Sequence, residues 1–199
     1  MSSVTDQMAR RVLDAALTLF ARHGFQRTSM ADVASEAGIS RATLYVRFRD
    51  KPALFEGLAE SLVTDALAAS AAAWTPGADL AGNLEAMILA KDLPFYRLLH
   101  APHGAELMAV GAELTGVQVK RLDDGFAALL AQHAADAAAC GANLSAFDGP
   151  GGFGSFLAMA GAGLKHESRT EADYRALVRR LCVVAAQATV RLVPAEAKG

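Results

Sequence analysis

Alanine is the feature that most restricts what this chain can fold into. It occurs 44 times in 199 residues, whereas valine and isoleucine together occur 15 times. Alanine has the most favourable helix propensity, and β-branched residues are the ones that favour strands. Apolar residues make up 53% of the chain and charged residues 20%, which supports a substantial core and excludes a disordered chain. We therefore expect an all-α protein.

Charge is distributed unevenly along the chain. Residues 1–55 hold eight basic and five acidic side chains, a formal charge of +3, and residues 56–199 hold 11 basic and 16 acidic ones, a charge of −5. A basic segment favours a polyanionic partner. Uncharged stretches are too short for a membrane span, and charges occupy the place of a secretory apolar region. We expect a cytoplasmic protein with no membrane partner.

Helix signals occur along the whole chain. The apolar spacing, caps and glycine or proline breaks predict helices over about 5–23, 30–37, 41–48, 51–74, 79–91, 94–99, 104–115, 117–140, 153–166 and 171–192. Residues 141–154 contain five glycines and are predicted to form a loop. The last helix begins after the capping pair Thr170 and Asp173.

A helix-turn-helix is predicted within residues 29–48. Ser29 and Asp32 have capping-box spacing, Gly38 permits a tight turn, and Ser40 can cap the next helix. The apolar residues that can anchor both helices on the first helix are Val33, Ile39, Leu44 and Phe48. The opposite face of the second helix of the motif carries short and cationic side chains, which suit the major groove of DNA.

Motifs throughout the first 55 residues match one family densely. They are Val12-Leu13, Ala15-Ala16, Leu19-Phe20, Gly24-Phe25, Thr28-Ser29, Met-Ala-Asp-Val-Ala-Ser-Glu-Ala-Gly-Ile-Ser at 30–40, Thr43-Leu44-Tyr45, Phe48, Lys51 and Leu54. On these residues the chain resembles the TetR family of transcriptional regulators, of the TetR/AcrR type. The resemblance implies a three-helix DNA-binding domain over residues 1–55 and a helical ligand-binding and dimerisation domain over 56–199.

The resemblance also implies a set of DNA contacts, and the residue types suit each role. Phosphate contacts are implied for Thr28, Ser29 and Lys51, base-edge contacts for Arg41, Ala42 and Thr43, and clamping of the DNA backbone for Tyr45 and Arg47. Ser40 completes the set at the start of the reading helix. A capping role alone stays open for Thr28, Ser29 and Ser40, and a packing role alone for Tyr45.

The last two predicted helices are expected to pair with a second copy of the chain. Two reading helices about 34–36 Å apart can contact successive major grooves of a near-palindromic operator, which gives a homodimer a physical purpose. The apolar stripe of the last helix has helical spacing. Its predicted interface residues are Tyr174, Leu177, Val178, Leu181, Val184, Ala185 and Ala188.

Soft and aromatic side chains in the body can line a pocket for a small, largely apolar effector, or can serve only as core. The candidate pocket residues are Met87, Phe95, Met108, Phe126, Phe153, Phe156 and Met159, with His100 and His103 as polar contacts. Under the family's usual mechanism, the effector releases a repressor from its operator. The alternative is a DNA-binding protein with no small-molecule effector, acting as an architectural or protein-controlled binder.

Signals for catalysis, metals and cofactors are weak. Gly149, Gly151 and Gly154 match a dinucleotide-binding spacing, but an alanine-rich helical stretch precedes them instead of a strand. Pro102 separates His100 from His103, and no cysteine joins them. We therefore expect no enzyme activity, no metal and no cofactor, and we expect Cys140 and Cys182 to be reduced.

Overall fold

The computed structural model describes the backbone of residues 2–190 and the side chains of residues 7–190. Over that range the regular structure is helical, with nine α-helices and one short 3-10 helix at Ser145–Phe147, which confirms the all-α prediction. The α-helices are α1 Ser2–His23, α2 Met30–Glu36, α3 Arg41–Arg47, α4 Lys51–Ala72, α5 Leu80–Leu99, α6 Gly104–Leu114, α7 Gly116–Ala139, α8 Pro150–Glu167 and α9 Glu171–Ala188.

The predicted helix starts are confirmed where a side chain caps the backbone. The hydroxyl oxygens of Ser29, Ser40 and Thr170 accept hydrogen bonds from backbone N–H groups of α2, α3 and α9. The carboxylate of Asp50 accepts one from the N–H of Ala53 in the first turn of α4. Each cap satisfies a donor that has no partner inside its helix. The end of the last predicted helix, beyond residue 190, lies outside the described residues.

The structure corrects the prediction of a break before Pro94. Helix α5 is continuous from Leu80 to Leu99 with Pro94 inside it. A proline in a helix interior costs about 3 kcal/mol, because it lacks an N–H and crowds the preceding turn. Leu84, Met87 and Ile88 are fully buried on the same helix, and burial of each such side chain contributes about 1.5–3 kcal/mol. Packing therefore outweighs the proline.

The glycine-rich loop before α8 is also shorter than predicted. Helix α8 begins at Pro150, whereas the predicted start is residue 153. Proline is well tolerated in the first turn of a helix, where its missing N–H would have no partner. Gly152 and Gly154 then allow close packing. A Cβ on Gly152 would overlap the carbonyl oxygen of Phe147, and one on Gly154 would overlap that of Ala127 on α7.

The chain forms two compact units. The first contains the chain up to Ala66 together with Pro94–Leu122, and the second contains Leu67–Leu93 together with the chain from Asp123 onward. Compactness therefore divides the chain differently from the predicted domain boundary at residue 55. That boundary concerns function and stays a prediction.

The core of the first unit surrounds α1. Phe20 is fully buried and contacts Phe25 and Phe55, with ring centroids 5.3 and 5.9 Å apart. The expected anchors of the helix-turn-helix belong to this core, with Val33 and Leu44 buried and Ile39 and Phe48 partly buried against it. Helices α2, α3 and α4 are therefore held on a common apolar base.

The second unit buries charged side chains. Asp92 on α5 is fully buried, and its Oδ1 accepts from the ammonium groups of Lys91 and Lys165, each at 2.9 Å. The Tyr174 hydroxyl donates to Asp92 Oδ2 at 3.0 Å. Burial by itself would raise the pKa of Asp92, but Lys91 and Lys165 hold it below its ordinary value. The carboxylate is therefore ionised in the folded protein at neutral pH.

Asp92→Asn should lower the free energy of unfolding by about 3–5 kcal/mol, because it leaves buried ammonium groups without their counter-charge. Urea denaturation at pH 7 measures this loss, and Asp136→Asn, an exposed change on α7, serves as the control. The lowered folded pKa means that the Asp92 contribution is complete above its ordinary pKa of 3.8 and is lost as pH falls through the folded value. A normal unfolding midpoint for Asp92→Asn would contradict the cluster.

Candidate nucleic-acid interface

The turn between α2 and α3 is fixed by backbone contacts. Gly38 has a positive φ of 65°, a conformation that glycine adopts without strain. The N–H of Ile39 donates to the carbonyl of Ala34 at 3.0 Å, and the Arg11 guanidinium on α1 donates to the carbonyl of Ala37. The angle between α2 and α3 is therefore held by α1 as well as by the turn itself.

Helix α3 presents an exposed face opposite its buried residues. Leu44 is fully buried and Phe48 partly buried, whereas the predicted DNA-contacting residues Arg41, Ala42, Tyr45 and Arg47 are exposed. Val46 is 91% exposed and lies on the same face. Val46 is not among the residues predicted from sequence, although its position two residues from both Leu44 and Phe48 places it opposite them on a helix. An exposed branched apolar side chain here suits the methyl group of thymine.

The hydroxyl groups at the starts of α2 and α3 take part in local caps. The Ser29 hydroxyl donates to Asp32 Oδ2 at 2.7 Å, and Ser29 Oγ accepts from the N–H of Asp32. The backbone N–H of Ser29 also donates to Asp32 Oδ2 at 2.9 Å, and this bond, together with the one from the Ser29 hydroxyl, lowers the pKa of Asp32. Ser40 and Thr43 join through their hydroxyl oxygens at 2.8 Å. All of these residues except partly exposed Thr43 are exposed, so the caps and the implied DNA contacts share one surface.

Thr28 is placed differently from its implied role. Its side chain is 3% exposed, and its hydroxyl donates to the carbonyl of Gly24 at 2.8 Å. Because the Thr28 hydroxyl is buried and already hydrogen-bonded, it stabilises the turn after α1. It does not face a surface where a phosphate could bind. The Thr28 hydroxyl is therefore not one of the exposed groups at the start of α2.

Lys51 also takes part in holding that turn. Its ammonium donates to the carbonyl oxygens of Phe25, Gln26 and Thr28 at 2.8, 3.2 and 3.0 Å, and it lies 4.5 Å from the centroid of the Phe25 ring. These bonds use all three donors of the ammonium group. A phosphate contact by Lys51 stays a prediction, and it would require one of the carbonyl bonds to be given up.

The candidate pocket residues fall in both compact units. Phe95, His100, His103 and Met108 lie in the first unit, and none of them is fully buried. Met87, Phe126 and Phe153 are buried in the second unit, whereas Phe156 and Met159 are exposed there.

Both histidines of that set make local contacts. His100 stacks on the Tyr96 ring, and His103 Nδ1 lies 3.3 Å from Glu106 Oε2. Glu106 in turn accepts from the N–H of Gln26, a bond that lowers the pKa of Glu106. Among the described residues no group of three or more His, Cys, Asp or Glu side chains is arranged to hold a metal ion.

The predicted dimer residues divide between the inside and the outside of the second unit. Tyr174, Val178 and Ala185 are buried within it, Leu177 and Leu181 are partly buried, and Val184 and Ala188 are exposed. Exposed Phe156 and Met159 on α8 add to the apolar surface of the last two helices. Tyr174, Val178 and Ala185 therefore stabilise the unit itself, and pairing of the other four residues with a second copy stays a prediction.

The N-terminal segment of the chain matches a known family of regulators. Residues 12–58, which contain the helix-turn-helix and the start of α4, match the model of the bacterial regulatory proteins of the tetR family. In this segment the chain is similar to TetR-family regulators. Both cysteines, exposed Cys140 and buried Cys182, are free, and no helix in residues 2–190 is both long and apolar enough to cross a membrane.

Two curated relatives resemble this chain over part of its length. The transcriptional regulator AcrR of Shigella flexneri is 39% identical over 51 residues, 26% of this chain and 24% of AcrR. The repressor KstR2 of Rhodococcus jostii RHA1 is 30% identical over 94 residues, 47% of this chain and 44% of KstR2. The chain thus matches less than half the length of each relative. Both are transcriptional regulators and not enzymes.

The fold of nearly the whole chain resembles solved regulators. SmeT, the repressor of the Stenotrophomonas maltophilia multidrug efflux pump SmeDEF, superposes with a TM-score of 0.60 over 91% of this chain and 87% of SmeT, at 18% identity. SmeT has also been solved in complex with triclosan. At 18% identity this similarity shows a common fold and no more.

Lys51→Met should lower the free energy of unfolding by about 1–3 kcal/mol, because three carbonyl oxygens at the turn after α1 lose a charged donor. Urea denaturation measures the change. Arg49→Met is the matched control, since it removes a cation that is 81% exposed two residues away. If Lys51→Met keeps full stability but weakens binding to all DNA sequences equally, Lys51 acts on phosphate instead.

Proposed function

We propose that this protein is a ligand-responsive transcriptional repressor of the TetR family that acts in the cytoplasm. It binds a near-palindromic DNA operator as a homodimer, and a small, largely apolar effector releases it. The observation that carries the proposal is the exposed face of α3, where two guanidinium groups, a phenol and short side chains surround Val46 on a rigidly held helix.

The chemistry of that face supports sequence-specific reading. An arginine can bind guanine through two parallel hydrogen bonds, and alanine or valine methyl groups suit thymine. Arg41 stands at the first position of α3, and the N-terminal part of such a helix is the part that contacts base edges. Arg47, in the last turn of α3, is suited to the DNA backbone.

Arg41→Ala should weaken operator binding by about 1–3 kcal/mol and relax the preference at one base position in each half-site. The operator can be obtained by selection from a random duplex library, and fluorescence anisotropy then gives the affinity at two salt concentrations. Binding by the unaltered chain should weaken steeply as salt rises, because phosphate contacts release counterions.

Arg49→Ala is the matched control for this change. It removes the same charge from an exposed side chain outside α3, so it should leave the base preference intact. Equal loss of preference in both variants would show that net charge, and not the α3 face, determines recognition.

The apolar surface of the last two helices supports the homodimer. Met159 on α8 is 71% exposed and Val184 on α9 is 64% exposed. Large apolar side chains that are exposed together often mark an interaction surface. Pairing two copies through these helices would form a four-helix bundle, and it would provide the second α3 that a two-part operator needs.

Val184→Glu should convert the dimer to a monomer, because the pairing would bury an unpaired charge. Light scattering measures the mass in solution. Val117→Glu is the control, because Val117 is also an exposed valine but lies on α7. A dimer that survives Val184→Glu would place the interface elsewhere.

Two features support the existence of a small-molecule effector: the buried methionine and phenylalanine side chains of the second unit, and the fold of the chain. Met87, Phe126 and Phe153 are buried there, and side chains of these types adapt to irregular apolar ligands. SmeT, which shares the fold, forms a complex with triclosan. A tenfold loss of DNA affinity on effector binding requires about 1.4 kcal/mol of coupling between the two sites.

A further inference from the structure

Lys91 is a buried cation in the second unit. Its side chain is 1% exposed, and lysine is almost never buried to this extent unless it is paired. Its Nζ lies 2.9 Å from Asp92 Oδ1 and 4.5 Å from the centroid of the Phe126 ring on α7. The ammonium therefore lies between a carboxylate and an aromatic face.

Asp92 does not need Lys91 as a partner. The same Oδ1 accepts from Lys165 at 2.9 Å, and Oδ2 accepts from the hydroxyl of Tyr174. Lys165 is 14% exposed, so it pays a smaller desolvation cost than Lys91 for the same bond. Without Lys91, Asp92 would still be paired and hydrogen-bonded. The structure thus holds a second, more deeply buried ammonium on one carboxylate oxygen.

The side chains around Lys91 are apolar and buried. Met87 and Ile88 precede it by four and three residues on α5, so they share its helix face, and both are fully buried. Phe126, whose ring it faces, is also fully buried. Burial lowers the pKa of Lys91 and Lys165 lowers it further, while Asp92 and the more weakly acting Asp123 oppose this. The charged form of Lys91 would gain from another anion.

We propose that Lys91 is the polar anchor of the effector site and that the effector is an organic acid, with a carboxylate on Lys91 and an apolar body among Met87, Ile88 and Phe126. This inference rests on the proposed function and names the chemical class of its effector. The carboxylate takes a hydrogen bond from the ammonium, and Lys165 and Tyr174 keep Asp92 satisfied.

The test compares acids with neutral compounds of the same shape, using the full-length protein. Decanoate is paired with 1-decanol, and 4-phenylbutanoate with 4-phenyl-1-butanol. Thermal shift and calorimetry measure binding, and anisotropy on the selected operator measures DNA release. At least one acid should bind about tenfold or more tightly than its alcohol, as expected for one charge-assisted hydrogen bond. Lys91→Met should abolish that preference.

Stability of the ligand-free variants provides a second readout. Lys91→Met should leave the melting temperature unchanged or raised, because it removes a buried charge while the Asp92–Lys165 pair remains. Arg175→Met is the matched control, because it removes a half-exposed cation paired with Glu171 in the same unit, and it should keep the preference for acids. A marked drop in melting temperature for Lys91→Met would overturn the proposal and make Lys91 a structural residue.

The outcomes also separate this inference from the proposed function. If alcohols bind and release DNA as well as acids do, the effector is neutral, so the inference fails and the proposed function stands. If neither acid binds, the inference fails as well. If the protein binds no DNA duplex, the proposed function fails, while acid binding that depends on Lys91 would still support the ligand site.

Discussion

The position of the exposed face of α3 depends on the burial of Phe20 near the end of α1. Its ring contacts Phe25 and Phe55, and these two rings also meet edge to face at 5.3 Å. The three aromatic side chains join α1, the turn that follows it and α4 in one apolar cluster. Because Val33 and Leu44 pack into the same core, the exposed side of α3 has only one orientation relative to α1.

Two lysines show how environment determines the role of one residue type. Lys51 lies at a partly exposed turn, where three carbonyl oxygens surround its ammonium, so its charge stabilises backbone that would otherwise lack donors. Lys91 lies in the core and shares a single carboxylate oxygen with Lys165. The first arrangement gives one ammonium three acceptors, whereas the second places two ammonium groups on one carboxylate oxygen.

The apolar residues of the last two helices form a buried set and an exposed set. Tyr174, Val178 and Ala185 pack inside the second unit, while Val184 and the α8 side chain Met159 remain exposed. An amphipathic stripe in sequence does not distinguish these cases, because both use the same helical spacing. The broad apolar stripe of α9 allows it to support its own unit and still offer a surface for the proposed dimer.

The sequence by itself determined the all-α class, the helix-turn-helix and the capped helix starts, since propensity, cap chemistry and apolar spacing act within a few residues. Only the tertiary structure decided that α5 continues through Pro94, because packing along its whole length outweighs one lost hydrogen bond. It alone placed Lys51 on the carbonyl oxygens of residues 25–28 and Asp92 beside Lys165, contacts between residues 23 to 73 positions apart. Such contacts depend on which helix faces pack together, which local spacing does not encode.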